Sequence, residues 1–266
     1  MKNKRVILIT GESSGFGLAM AEAFLRNGDI VCGCARRDFQ HQGIFHQMAD
    51  VTKKDDCQRV IEEIVHRYGR IDILINNAGF GIFGPLEETA LEQAKKQIDV
   101  ILFGGFLMAQ AALPYMRESG AGKIFNISSI GGLIPLPYQG FYCAGKAALD
   151  TLFSSLRVEV YPYHIQICSI KPGDAKTGFT AQRKLEALKP GSVYQQSVAK
   201  NLRTITHDEQ NGFAPVILAK KVLRLSKRKK LPFSKLIGLK DSLLYRLVFY
   251  LIPRRISNYL IYKIYA

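Results

Sequence analysis

Residues 5–17 read RVILITGESSGFG, an apolar run followed at once by a glycine-rich loop and then by a helical pattern over 18–27 that stops at Gly28. The run 5–10 has the length and continuous apolarity of a strand buried in a parallel sheet. Strand, glycine loop and helix in that order place Gly11, Gly15 and Gly17 where main chain must approach a phosphate. The helix N-terminus there supplies free N–H groups and a positive dipole. A tight turn also needs glycine, so the loop gains its weight from the motifs further along the chain.

A second strand over 29–35 ends in Arg36-Arg37. In a dinucleotide fold this strand end meets the adenosine ribose, where an acid accepts the 2′-hydroxyl bonds of NAD and arginine suits the 2′-phosphate of NADP. No acid stands at that strand end, so Arg36, with Arg37 as its helper, argues for NADP, with NAD as the alternative. Glu12 in the glycine loop and Asp38 after the pair pull the other way, and as plain surface charges the two arginines would carry no preference.

Further strands are expected at 45–48, 71–75, 123–127, 164–170 and 231–237, and helices at 53–68, 87–117, 144–160 and 214–225. The long 87–117 helix should break or bend near Gly104-Gly105. The alternation predicts an α/β fold: a single Rossmann-type, doubly wound parallel sheet with helices on both faces.

Within residues 126–146, NISSIGGLIPLPYQGFYCAGK, a strand end and a Gly/Pro-rich loop lead into a helix opening near Tyr142. On that helix Tyr142 and Lys146 are four apart and share a face. A tyrosine with an ordinary pKa of about 10 is a poor acid or base at neutral pH. A neighbouring ammonium favours the phenolate and should lower that value, letting the pair exchange a proton with a substrate oxygen. Ser129 is placed to hydrogen-bond the same oxygen. Taken alone, such a pair is more often a solvated helix face.

Together these motifs resemble the short-chain dehydrogenase/reductase family, with Thr10-Gly11-x-x-x-Gly15-x-Gly17, Asn76-Asn77-Ala78-Gly79 after a strand, Ser129 and Tyr142-x-x-x-Lys146 in order over roughly 5–240. The resemblance implies hydride transfer between a nicotinamide and a substrate carbon. It implies Ser129, Tyr142 and Lys146 as catalytic residues. It also implies a cofactor site from Gly11, Ser13, Ser14, Gly15, Phe16, Gly17, Arg36, Arg37, Asp50, Val51, Asn77, Ala78, Gly79, Tyr142, Lys146, Pro172, Gly173 and Thr177. Asp50-Val51 would meet the adenine and Thr177 the nicotinamide carboxamide. One position departs: Ile101 stands where the family carries an asparagine that holds a relay water. Either main-chain groups hold that water, or turnover is slowed, or the chain is a dinucleotide-binding sensor or scaffold. Closer similarity is to members acting on steroids, retinoids or other lipid alcohols and ketones. Phe80, Phe83, Leu133, Leu136, Tyr138 and Phe179 are the expected apolar lining for a small lipophilic carbonyl or alcohol substrate. The family is commonly dimeric or tetrameric, so a homo-oligomer is expected.

The 266 residues, 47% hydrophobic, suit one large α/β domain. It is placed at 1–240, with an aperiodic substrate loop at 178–211 and a basic amphipathic extension at 241–266. From Lys220 onward thirteen Lys or Arg face a single acid, Asp241, so +12 of the net +15 lies there and the first 219 residues carry +3. Segment 240–266 mixes apolar residues with Arg246, Arg254, Arg255 and Lys263. It can lie peripherally on an anionic membrane surface; equally, it can pack on the domain or on a second subunit. The basic cluster 227–230 lacks any reader motif, so nucleic acid is not an expected partner. Five scattered cysteines without metal-ligand spacing read as reduced thiols of a cytoplasmic protein with no metal site. No signal peptide fits the first apolar run, which is only a strand long.

Overall fold

The computed structural model describes residues 4–179 and 183–238 and, beyond them, a few positions between 252 and 263. β1 (Val6–Thr10) runs through the glycine loop into α1 (Gly15–Arg26), followed by β2 (Ile30–Ala35), β3 (Ile44–Met48), α2 (Lys54–Tyr68) and β4 (Ile73–Asn76). After the short β5 (Ile82–Phe83) come α3 (Leu91–Ile98), α4 (Gly104–Glu118), β6 (Gly122–Ile127) and α5 (Gly140–Glu159). β7 (Ile165–Pro172), β8 (Lys184–Leu185), α6 (Gln195–Gln210), α7 (Pro215–Ser226) and β9 (Ser234–Ile237) complete the described chain.

Seven strands form one parallel sheet in the order β3-β2-β1-β4-β6-β7-β9. Alternation along β1 decides which face each side chain serves. Val6 and Leu8 pack with Ile61 and Ile64 of α2, Met108 and Ala112 of α4, and Leu149 and Phe153 of α5. Ile7 and Ile9 pack with Met20 and Phe24 of α1 and Leu218 and Val222 of α7. The sheet is therefore doubly wound, as expected. Chain order reverses between β1 and β4, opening a crevice at the strands' C-terminal ends.

One expected break is present, and one stretch differs from the sequence expectation. The long helix is interrupted just ahead of Gly104, by a π-helical turn at Asp99–Phe103 that carries Ile101. Single π turns inside α-helices recur at functional sites. By length and composition the run Leu91–Glu118 could cross a bilayer; here its Met108, Ala112 and Met116 are core residues. The region 178–211, expected as an aperiodic loop, contains β8 and the 16-residue α6. α6 buries only Asn201 and Ile205, so it has no apolar stripe to betray it. The membrane contact expected through 240–266 falls largely outside the described residues.

All five cysteines are free and buried. Burial pushes the thiols of Cys32, Cys57 and Cys168 up to about 12 and that of Cys34 well above its ordinary value.

Phe125, fully buried in the interior strand β6, anchors the face that receives α1 and α7. Phe125→Ala is expected to destabilise the fold by about 3–5 kcal/mol, measured as a shift in the urea unfolding midpoint at unchanged slope.

Candidate active site

The loops leaving β1, β2, β4, β6 and β7, roofed by α6, enclose a cleft of about 750 Å³. Every residue singled out from the sequence as catalytic or cofactor-binding lines it except Gly17. Gly17 lies behind the loop in the first turn of α1, where a β-carbon would overlap the Gly11 carbonyl oxygen. Gly11 and Gly15 hold φ of +68° and +53°, a region open to glycine. These features uncover main-chain N–H groups at the start of α1, and the cradle fits a diphosphate.

The loop is tied to the strand beside it. Thr10 Oγ1 accepts from the main-chain N–H groups of Asn77 and Ala78, each at 2.9 Å. Asn77 Nδ2 donates to Thr10 O at 2.9 Å and Gly11 O at 3.2 Å. Asn76 Nδ2 donates to Asn126 Oδ1 at 3.0 Å and to Gly105 O at 3.2 Å, joining β4 to β6 and to the first turn of α4. Arg36 and Arg37 follow β2 as exposed side chains on the cleft rim, with Asp50 and Val51 on the same wall. Glu12, expected to bring charge into the loop, does not face the cleft; it is fully buried and hydrogen-bonded to His46.

At the other end Ser129 leaves β6 in an extended conformation and accepts from Gly131 N at 3.0 Å. A β-carbon on Gly131 would lie 3.3 Å from Tyr142 Cε1, so glycine there lets the loop approach the phenol. Lys146 is 5% exposed; its Nζ donates to Ile127 O at 2.6 Å and lies 5.7 Å from the centre of the Tyr142 ring.

Burial decides the acidity of both groups. It pushes the Tyr142 phenol up to about 12, against the smaller downward pull of a hydrogen bond with Ser129. The expected lowering of Tyr142 by the lysine is therefore not what this site displays. Burial also lowers Lys146 to about 8, with Asp150 opposing it. At neutral pH the pair is a protonated phenol beside an ammonium.

Ile101 is 2% exposed and lies against Gly145, where a β-carbon would sit 3.4 Å from Ile101 Cγ2. It also borders a cavity of about 10 Å³ shared with Lys146, Asn76 and Leu149, near the lower limit for one water.

Of the expected apolar lining, Phe80, Leu136 and Phe179 face the cleft, and Ile130 and Ile205 join them. Phe83, Leu133 and Tyr138 do not line it. Phe83 instead packs in the core against Tyr138. Tyr138, at φ +63°, donates to Ser197 Oγ at 2.8 Å and so fastens α6 to the loop between β6 and α5. Sequence reading missed Lys184, Asp208 and Glu209, which line the cleft from β8 and α6. Beside them Asp174 is pushed up to about 6 by burial, then by the charges of Asp208 and Glu209, with Arg183 opposing. Arg183 pairs with Glu209 and lies 5.8 Å from the ring centres of both Phe83 and Phe179.

A glycine cradle and a buried Tyr–Lys pair at the C-terminal edge of a doubly wound sheet define a dinucleotide-dependent oxidoreductase. The family model for short chain dehydrogenases matches residues 5–187. A 3-ketodihydrosphingosine reductase of Bacteroides thetaiotaomicron is 41% identical over 88% of this chain and 88% of its own. A short-chain dehydrogenase from Streptomyces avermitilis has a similar structure, with a TM-score of 0.84 and 30% identity over 99% of this chain and 98% of that one. An alcohol dehydrogenase from Thermococcus sibiricus, complexed with 5-hydroxy-NADP, superposes with a TM-score of 0.72 and 25% identity over 88% and 96% of the two chains. The chain belongs to the short-chain dehydrogenase/reductase family, oxidoreductases whose fold holds a nicotinamide dinucleotide.

Gly17→Ala is expected to displace the Gly11 carbonyl and weaken NADPH and NADH binding at least about tenfold. Fluorescence titration measures this, with far-UV circular dichroism unchanged.

Proposed function

We propose that this protein is an NADPH-dependent reductase of a long-chain amino ketone. The observation that carries this reading is the composition of the cleft beside Tyr142. Phe80, Leu136, Phe179 and Ile205 offer an apolar wall, while Asp174, Asp208 and Glu209 outnumber the opposing Arg183 and Lys184 and leave an excess of negative charge at the same end. An alkyl chain suits the first, and an ammonium near the carbonyl suits the second. The reductase of Bacteroides thetaiotaomicron, 41% identical, is named for a substrate of that chemistry. Arg36 and Arg37 on the rim support NADPH over NADH.

When bound, the reduced nicotinamide supplies a hydride to the carbonyl carbon. The Gly11–Gly17 cradle would hold the diphosphate, Asp50-Val51 the adenine, Asn77-Ala78-Gly79 would lie along the cofactor, and Lys146, Pro172, Gly173 and Thr177 would hold the nicotinamide half. Tyr142, protonated because burial holds its phenol near 12, donates the proton to the carbonyl oxygen. Ser129 orients that oxygen, and the Lys146 ammonium stabilises the phenolate left behind. This acid–ammonium state has the proton for the reduction step already in place at neutral pH. The catalytic unit is the single domain 1–240, with 178–211 shaping the substrate end. The extension 241–266 serves peripheral membrane contact or self-association, so a lipid substrate could be taken directly from a membrane.

A second reading, a sensor that binds dinucleotide without turnover, is favoured by one observation: Ile101 stands in the π turn beside Lys146. One assay separates the two. Tyr142→Phe should cut NADPH-dependent ketone reduction about 10²- to 10⁴-fold while NADPH affinity stays within a factor of about two. NADPH binding with no wild-type turnover on long-chain amino ketones or simple ketones would instead favour the sensor.

The rate should fall as pH rises past about 8, as Lys146 loses its charge; a pH profile of kcat checks this. Asp174→Asn should raise KM for an amino ketone about tenfold, leaving KM for its deaminated analogue unchanged. Equal effects on both substrates would remove the ammonium from the reading.

A further inference from the structure

The second residue of the glycine loop after Thr10, Glu12, is an acid on a loop shaped for anionic groups, yet its side chain is absent from the cleft wall. It crosses β2 and is fully buried. The crossing point is Gly33, where a β-carbon would overlap Glu12 Cγ. Gly33 is the register partner of His46 on β3, and Glu12 Oε1 hydrogen-bonds His46 Nδ1. The His46 side chain is 8% exposed, with the Phe39 ring edge-on at 5.9 Å. Glu12 Oε2 and His46 Nε2 are buried without a hydrogen-bond partner among the described residues. Gly33 thus leaves the gap through which the glycine loop is fastened to the third strand.

A link serving structure alone needs no ionisable groups, since burying them is costly. An acid and a base sharing a proton here have a consequence for anion binding. With the proton, the pair is neutral overall; without it, one negative charge lies buried behind the loop that receives the diphosphate. We infer that the Glu12–His46 pair is a positioning element of the cofactor cleft, turning the loop's acid away from the 2′-phosphate, and that its proton content is coupled to NADP(H) binding. This rests on the cofactor reading above.

Burial raises the Glu12 carboxyl, with the hydrogen bond and charge of His46 opposing, which keeps a proton within the pair's reach. The surrounding groups do not substitute for it. Cys34 on β2, next to Gly33, is a thiol held well above its ordinary range. Cys57, Asp56 and Arg59 of α2 act on Cys34 from the other side. Arg36 and Arg37 follow β2 into solvent, and His41 stacks on Phe39. A polyanionic cofactor binds the protonated pair more tightly, so by linkage binding retains or takes up the proton, and affinity falls as pH rises through the pair's titration.

Calorimetric titration with NADPH and with NADH, from pH 6 to 9 and in buffers of different ionisation enthalpy, tests this on wild type, Glu12→Gln, His46→Gln and the double variant. The 2′-phosphate itself titrates near pH 6; NADH lacks it and Glu12→Gln retains it, so comparison with each isolates the pair. Wild type should take up protons with both cofactors and lose about tenfold more NADPH affinity across the range than Glu12→Gln. His46→Gln, which leaves the carboxylate without its partner, should weaken NADPH about tenfold and NADH less, and the double variant should restore NADPH binding. Equal pH slopes in wild type and Glu12→Gln would overturn the coupling. So would the absence of proton uptake by wild type with both cofactors, a result independent of whether the variants fold. Binding of NADH alone would refute the NADPH preference, while proton uptake with NADH would still support the coupling. Binding of neither cofactor would overturn both.

Discussion

The hydroxyl of Thr10 holds this structure's functional end together. It accepts two main-chain N–H groups from the end of β4, and Asn77 returns an amide to the carbonyls of Thr10 and Gly11. These bonds close the point where strand order reverses, the one place in a doubly wound sheet where neighbouring loops part. Without partners there, several buried N–H and C=O groups would be left unpaired, each costing about 1–3 kcal/mol. With them, the glycine loop and the Asn-Asn-Ala-Gly turn form one rigid shelf. The helix carrying Tyr142 and Lys146 and the arginines after β2 line the same cleft.

Desolvation governs the chemistry built on that shelf. It raises a phenol and lowers an ammonium only a short distance apart, and in both cases it exceeds the hydrogen bonds and charges that oppose it. The result is a phenol that keeps its proton at neutral pH, beside an ammonium placed to stabilise the phenolate that proton transfer would leave. The π turn holding Ile101 belongs to the same arrangement. In the π turn the Gly104 N–H donates to Asp99 O, and Val100 and Ile101 border the small cavity that Lys146 also lines. Gly145 gives the branched side chain of Ile101 its room.

Much of the fold is legible in the sequence because buried parallel strands are short continuous apolar runs and their boundaries carry glycine. β1, β2, β4 and β6 lie within a residue or two of their expected bounds, and the glycine loop, Asn77, Ser129, Tyr142 and Lys146 meet where their order implies. The hidden part depends on tertiary contact. α6 is largely polar because it roofs a cleft and faces water. The acids it contributes, Asp208 and Glu209, have no local pattern to distinguish them. Glu12 reads as a charge in the cofactor's path, because nothing in a linear reading places Gly33 opposite His46. The sign of the Tyr142 shift is hidden for a similar reason: the neighbouring lysine is visible in sequence, whereas the depth of the hydroxyl is not.

The five buried cysteines give the chain a property unrelated to catalysis. A thiol reagent attacks the thiolate, and in this fold the thiols are both enclosed and held largely protonated. They are spread over β2, α2, α5 and β7, on both sides of the sheet. Alkylation of the native protein is therefore paced by opening motions, and the order in which the sites react ranks the local stability of the elements that bury them. The protein carries its own map of where it breathes.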